Sequence, residues 1–224
     1  MENRRKLEMK RLNYFLTIVL ILFAGNVLAQ NDPKAKSILA DVSKKFRSYN
    51  VVKADFTYTF TNRQANETQS QSGTLWVQSK FNKYKVNLPG QEIVSDGKNQ
   101  WTYLKEDNEV QIAEIDNSPD ALNPAQIFTI YEKGFKYVYI GDSKLNGKVV
   151  HQIELAPLAS RSFSKIKLLI DKASKTISSF AVYDKNGNIY SYLIKTFIPN
   201  VNVSASTFAF DQKKYPGVEV VDLR

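Results

Sequence analysis

One histidine and no cysteine stand among 224 residues, so the side chains behind most nucleophilic, redox and metal chemistry are nearly absent. A single imidazole cannot assemble an ordinary zinc or iron site. His151 shares strand parity with Val149, Ile153 and Leu155, which makes it a packed, hydrogen-bonded core residue rather than a catalytic base. Asp184-Lys185-Asn186-Gly187 lacks the spacing of a calcium loop and reads as a hairpin turn. There is no G-x-S-x-G elbow, phosphate loop or dinucleotide fingerprint, and nothing nominates a carboxylate pair. The expectation is a protein without catalysis, metal or cofactor. What the chain does carry is aromatic surface, 13 Phe, 12 Tyr and 2 Trp, much of it at strand parity. The chemistry open to such residues is the burial of apolar chains.

The elements that position them are mostly strands. Residues 72–104 read as four short strands joined by legible turns, Pro89-Gly90 and Ser95-Asp96-Gly97-Lys98 among them. Ahead of these, residues 52–60 alternate with Phe56, Tyr58 and Phe60 on one face, and residues 62–71 form a polar loop without periodicity. Strands follow at 109–115, 135–140, 148–155, 163–170, 176–183 and 188–198, giving about eleven antiparallel strands in meander order. The tail, 208–221, holds short apolar pairs around Pro216-Gly217, with room for an edge strand.

Two helices interrupt the strands. Asn31-Asp32-Pro33 reads as a cap followed by a first-turn proline, and Ala35, Ile38, Leu39, Val42 and Phe46 then recur at helical spacing to about Tyr49. Asn123-Pro124 repeats the cap signal, and Ile127, Phe128, Ile130 and Tyr131 predict a short oily helix ended by Gly134, with Pro119 on its flank. A meander this large must close, stack on itself or curl round something. If both helices lie across one open face, the enclosed space is an apolar pocket suited to acyl chains. No βαβ alternation, repeat or linker divides residues 30–224, so they read as one domain.

The first 29 residues read separately. Arg4, Arg5, Lys6, Lys10 and Arg11 precede an apolar run from Leu12 to Phe23, and Val27-Leu28-Ala29 offers a cleavage site before Gln30. That is the pattern of a secretory signal peptide, and a dozen apolar residues are short for a membrane span. Without cysteine there is no lipobox and no disulfide, so export to the periplasm is expected. The net charge is +9, of which +6 remains beyond residue 29. The lysines are scattered along alternating strands rather than clustered, which argues against nucleic acid as a partner.

Several stretches, in order and spacing, resemble the periplasmic outer-membrane lipoprotein carriers of the LolA type. They are Ala54-Asp55-Phe56-Thr57, with Tyr58 where that family usually has Gln; Leu75-Trp76-Val77; and Ile93 to Lys98 with Trp101 and Tyr103. Asn123-Pro124, Thr207-Phe208-Ala209-Phe210 and Pro216-Gly217-Val218 complete the series. The resemblance implies an incomplete barrel of eleven antiparallel strands, with helices as a lid over a hydrophobic cavity. It also implies a monomeric carrier that takes triacylated lipoproteins from an inner-membrane ABC transporter to an outer-membrane acceptor. A lipid- or lipoprotein-sensing regulatory module of the same fold is the alternative.

On this reading the cavity is lined by Phe56, Tyr58, Phe60, Leu75, Val77, Tyr84, Val86, Trp101 and Tyr103. The lid carries Ile38, Leu39 and Val42 from the first helix and Ile127, Phe128 and Tyr131 from the second. The family commonly has Arg-Pro shortly after its L-W-V strand, an arginine that holds the lid closed. Here the region reads Gln78-Ser79-Lys80, so another group must latch the lid or the cargo differs.

Overall fold

Asp32 does two jobs at the start of the described chain. As a cap it accepts from Lys34 N (2.8 Å) and Ala35 N (3.2 Å), opening helix α1, Pro33–Arg47, with proline where no N–H is needed. It also grips a sheet edge: its N–H donates to the Tyr137 carbonyl (3.2 Å) and its Oδ2 accepts from Tyr139 N (3.1 Å). Lys44, Lys45 and Arg47 occupy the last turn, where the helix dipole favours cations. The computed structural model describes residues 32–118, 121 and 123–224. The signal sequence inferred at residues 1–29, Asn31 of the helix cap and the flank at Pro119 lie outside the described residues.

Twelve strands among the described residues form one open sheet. They are β1 Val52–Asn62, β2 Glu67–Gln78, β3 Lys83–Asn87, β4 Gln91–Ser95, β5 Asn99–Leu104 and β6 Glu109–Glu114, followed by β7 Phe135–Leu145, β8 Lys148–Pro157, β9 Phe163–Asp171, β10 Thr176–Asp184, β11 Asn188–Pro199 and β12 Glu219–Asp222. Their order is β12-β6-β5-β4-β3-β2-β1-β11-β10-β9-β8-β7. Every pairing is antiparallel except that of β12, which lies parallel to β6. Two meanders, β1–β6 and β7–β11, are therefore joined where β1 pairs with β11.

The structure differs from the sequence reading in two places. The polar stretch 62–71 is largely strand: β1 and β2 continue to a turn at 63–66, where Asn62 Oδ1 accepts from Gln64 N and Ala65 N. That half of β2 is polar because it is mostly exposed. The oily helix after Asn123 is not an α-helix. Its bonds run three residues back, from Gln126 N to Asn123 O, Thr129 N to Gln126 O and Glu132 N to Thr129 O, and only Ile130–Glu132 is a 3₁₀ turn. So short a stretch gains too few bonds to offset an α-helical nucleus. The tail supplies the edge strand for which it had room, so the described residues hold one α-helix and twelve strands where two helices and about eleven strands, with an edge strand allowed for in the tail, were expected.

Side chains alternate between two faces of the sheet. The inner face carries the main core, including Leu75, Val77, Tyr84, Val86, Ile153, Leu168 and Phe180, with Leu39, Val42 and Phe46 of α1. Helix α1 packs over β7 and β10. The outer face holds a second cluster beneath the C-terminal tail. There Trp101 stacks on Phe210 (6.4 Å), Tyr103 meets Tyr215 (4.5 Å), and Val94 and Val110 are buried.

Candidate functional site

A cavity of about 510 Å³ lies on the inner face. Register builds it, because directly paired residues share a face. Phe56 opposes Gly73 and Ile194, Tyr58 opposes Gln71 and Tyr192, and Leu75 opposes Val86, which opposes Ile93. Phe56, Tyr58, Gln71, Leu75, Tyr84, Val86, Leu88, Gln91, Ile93 and Gln100 line it from β1–β5 and the β3–β4 turn. Phe180 on β10 and Tyr192 and Ile194 on β11 continue the wall, and Pro124, Ile127 and Phe128 complete it. No charged side chain is among these residues.

The aromatic wall is tightly built. Phe180 stacks on Tyr192 (4.4 Å, 11°), which also meets Tyr58 at 5.1 Å and Phe56 at 6.0 Å. Burial pushes the phenols of Tyr84 and Tyr192 up to about 12 and raises that of Tyr58, so all three stay protonated donors near neutral pH. Tyr84 donates to Gln100 Oε1 (2.5 Å), and Gln100 Nε2 donates to Thr102 Oγ1 (3.2 Å). Gly73 is a steric requirement: a Cβ there would lie 2.7 Å from both Phe56 Cζ and Leu88 Cδ2 and 2.9 Å from Asn87 O. The bare backbone lets the Phe56 ring lie across β2.

The turns after Asn123 are fixed from both ends. Asn123 Oδ1 accepts from Ala125 N (2.8 Å), and its Nδ2 donates to Asn82 Oδ1 (3.1 Å). Phe128 stacks on Phe46 of α1 (4.6 Å, 29°) and meets Phe197 of β11 edge-on (6.0 Å). Ser43 Oγ donates to Tyr131 Oη (2.9 Å) in a buried bond, and Arg47 pairs with Glu132. Beside these contacts runs a shallower groove of about 620 Å³, with Leu39, Tyr131 and Tyr137 between Lys36, Lys44 and Arg47.

The sequence-nominated residues divide accordingly. Phe56, Tyr58, Leu75, Tyr84 and Val86 line the cavity, as do Ile127 and Phe128. Val77 is buried in the adjoining core, and Phe60 packs on Tyr190 (5.4 Å) farther along β1. Leu39 and Val42 are buried in the core and Ile38 packs against it, while Tyr131 faces Ser43 and the second groove. Trp101 and Tyr103 do not line the cavity. Trp101 pairs with Val94 and Tyr103 with Glu92, whereas Gln91 and Ile93 face inward, so strand parity sends both aromatics to the outer face. Gln71, Leu88, Gln91, Ile93, Gln100, Phe180, Tyr192 and Ile194 were not nominated. Parity within each hairpin marks the first five, but Phe180, Tyr192 and Ile194 arrive only through the long-range β1–β11 pairing.

His151 lies on the inner-face parity of β8, mostly buried, with Nδ1 2.5 Å from Asp142 Oδ1. Asp142 also accepts from Tyr139 Oη (2.6 Å) and Lys172 Nζ (3.0 Å), and these donors hold its carboxyl well below the usual range. That is the hydrogen-bonded histidine expected from its parity. The Asp184 carboxylate receives Asn188 N (2.7 Å) and closes the hairpin.

Comparison with known proteins follows the same lines. Residues 47–211 match the family model described as outer membrane lipoprotein carrier protein LolA. The chain is 28% identical over 194 residues to an outer-membrane lipoprotein carrier protein of Serratia proteamaculans, covering 84% of this chain and 91% of that protein. Among solved structures it resembles an uncharacterized conserved protein of Thermus thermophilus, with a TM-score of 0.58 at 18% identity, covering 84% of this chain and 99% of the other. A structure of MucB overlaps with a TM-score of 0.50 at 13% identity, over 85% of this chain and 66% of the other. At these identities the two structures speak to the fold alone.

Proposed function

The chain belongs to the LolA family of outer-membrane lipoprotein carriers, a family of non-enzymatic transport proteins, and from that premise we propose that its inner-face cavity shelters lipoprotein acyl chains in transit. Family members are periplasmic; residues 1–29 are proposed to direct export and to be removed. The cargo is then collected from an inner-membrane ABC transporter and surrendered to an outer-membrane acceptor. The observation that carries this reading is an uncharged cavity of about 510 Å³, walled by aromatic and aliphatic side chains with three glutamines among them.

The volume bounds the mechanism. If a methylene fills roughly the ~30 Å³ of a liquid water, 510 Å³ holds about 17 of them, or one acyl chain. Burying ~16 methylenes at ~0.8 kcal/mol each gives a gross ~13 kcal/mol, and three chains would give roughly 40. The latter lies far beyond the ~18–21 kcal/mol at which non-covalent affinity saturates. A carrier that must release its cargo therefore encloses one chain well and the others incompletely, and the segment 123–132 is the cover that moves to admit more. With Ser79 where the family arginine stands, the Ser43–Tyr131 bond and the Arg47–Glu132 pair are the proposed latch. Native mass spectrometry of protein released gently from the periplasm tests the reading. Co-purifying acyl-bearing lipoprotein is the expected result, and a uniformly empty protein that captures no tagged lipoprotein overturns it.

A further inference from the structure

The polar groups of the cavity are unevenly satisfied. At one end Tyr84 and Gln100 bond each other and Thr102, consuming the amide and the phenol. Toward the other end stand Gln71 and Gln91, whose side-chain amides have no partner among the described residues although both line the cavity. Register sets the separation. Tyr84 lies opposite Val77, six residues along β2 from Gln71, which is ~20 Å at strand rise. Gln91 belongs to the Gln71 end: Leu88 N donates to Gln91 O (2.9 Å), and Leu88 Cδ2 abuts the Gly73 position, two residues from Gln71. Between the ends the wall is Phe56, Leu75, Val86 and Ile93.

Resting on the carrier reading, we infer that Gln71 and Gln91 recognise the carbonyl of an ester- or amide-linked acyl chain, whose tail runs toward Tyr84 and Gln100. A carboxamide N–H is a neutral donor suited to a neutral carbonyl acceptor. No cation lines the wall to offset a free carboxylate or a phosphate, and an unpaired charge is costly to bring into such a space. The nearby lysines of β3 point the other way: Lys85 pairs with Glu92 on the outer face (3.0 Å). The site thus discriminates lipids by linkage as well as by chain length. Covalently esterified and amidated chains bind, and free fatty acids of the same length are disfavoured.

The test measures displacement of a hydrophobic fluorescent dye by three probes of equal chain length: methyl palmitate, hexadecyl methyl ether and palmitate. The mature protein should prefer the ester over the ether by about 2- to 10-fold for each hydrogen bond formed, with palmitate no better than the ether. In Gln71→Leu/Gln91→Leu, ester and ether should converge to within about 2-fold of each other. Gln71→Lys provides a gain-of-function arm, in which palmitate should overtake the ester. Equal displacement by ester and ether in the native protein overturns the inference while leaving the carrier reading intact, as does an ester preference that survives in the double variant. Failure of all three probes to displace the dye overturns the carrier reading itself.

Discussion

Phe128→Ala separates a movable cover from a structural core. Phe128 is 2% exposed, stacked on Phe46, edge-on to Phe197, and in contact with the cavity. An aromatic of this kind buries ~150–250 Å², worth about 4–6 kcal/mol at ~25 cal/mol/Å². Two ring pairs add ~0.5–1.5 kcal/mol each. Part of its surface already borders empty space, so the realised loss belongs near the 3–5 kcal/mol typical of buried Phe→Ala. If the segment 123–132 moves independently of the sheet, that loss falls on closure alone. A bias of ~4 kcal/mol is nearly a thousandfold in the closed-to-open ratio, enough to leave the variant largely open. The expected signature is a several-fold rise in hydrophobic-dye fluorescence in the native baseline. Far-UV dichroism should keep its strand signal, and the urea midpoint should fall by less than half of what 4 kcal/mol would produce. A midpoint lowered by the full amount, with an unchanged slope and no dye binding before unfolding, would refute the reasoning and place Phe128 in the global cooperative unit.

Three further outcomes follow from single contacts. Gly73→Ala should destabilise by about 1–3 kcal/mol, because the Asn87 carbonyl 2.9 Å away cannot step aside as a side chain can; urea unfolding measures it, and dye affinity should fall as Phe56 and Leu88 are driven into the cavity. Tyr131→Phe removes the acceptor of the buried Ser43 hydroxyl and should cost about 1–2 kcal/mol, read on closure as greater dye access in the native baseline, with the urea midpoint falling by less than half of what that cost would produce. Asp55 is held by the hydroxyls of Thr196 (2.7 Å) and Thr74 (2.7 Å), which lower its pKa. Its stabilisation is therefore present above the unfolded value of ~3.9 and is lost as pH falls through the lower folded value. Asp55→Asn should weaken the loss of stability between pH 5 and pH 3 in urea titrations, and an unchanged pH profile would contradict that assignment.

What the sequence disclosed divides by range. Alternation in 52–60 and 72–104, the cap at Asp32 and the Asp-Gly and Asn-Gly turns are local signals, and each appears where it was read. Asp96, for example, accepts from Lys98 N and Asn99 N at 2.8 Å to close its hairpin. The faces of β5 were less legible. Trp101 and Tyr103 are as apolar as Phe56, and only the pairing of β5 with β4 and the cover of Phe210 and Tyr215 show that they serve a different core. The segment after Asn123 misled because its apolar spacing fits a helix, yet its side chains are held individually by Phe46, Ser43 and Arg47. Tertiary contacts there replace the helical bonds. The Phe180–Tyr192 wall was invisible because it is a consequence of topology, two strands from the end of the chain's second meander returning beside its first.

An open sheet of this size survives only if its edges are blunted, and here the two edges are blunted differently. On the β6 side the tail adds β12 in parallel, after Phe210 and Tyr215 have anchored it to the outer face. On the β7 side Asp32 occupies the backbone groups of Tyr137 and Tyr139. Farther along β7, a bulge at Ile140 and the charged side chains of Asp142 and Lys144 interrupt the remaining edge, a device that discourages a second chain from pairing. Closing the sheet into a barrel would remove both edges at once. It would also fix the spacing of the far edges of the two meanders, which the β1–β11 pairing joins only at their near sides, and the cavity spans both, since β1–β5 and β10–β11 each supply a wall. Blunted edges let the sheet stay open, so on the carrier reading a chain can be admitted by moving the ten residues from 123 to 132 rather than by breaking strand pairs.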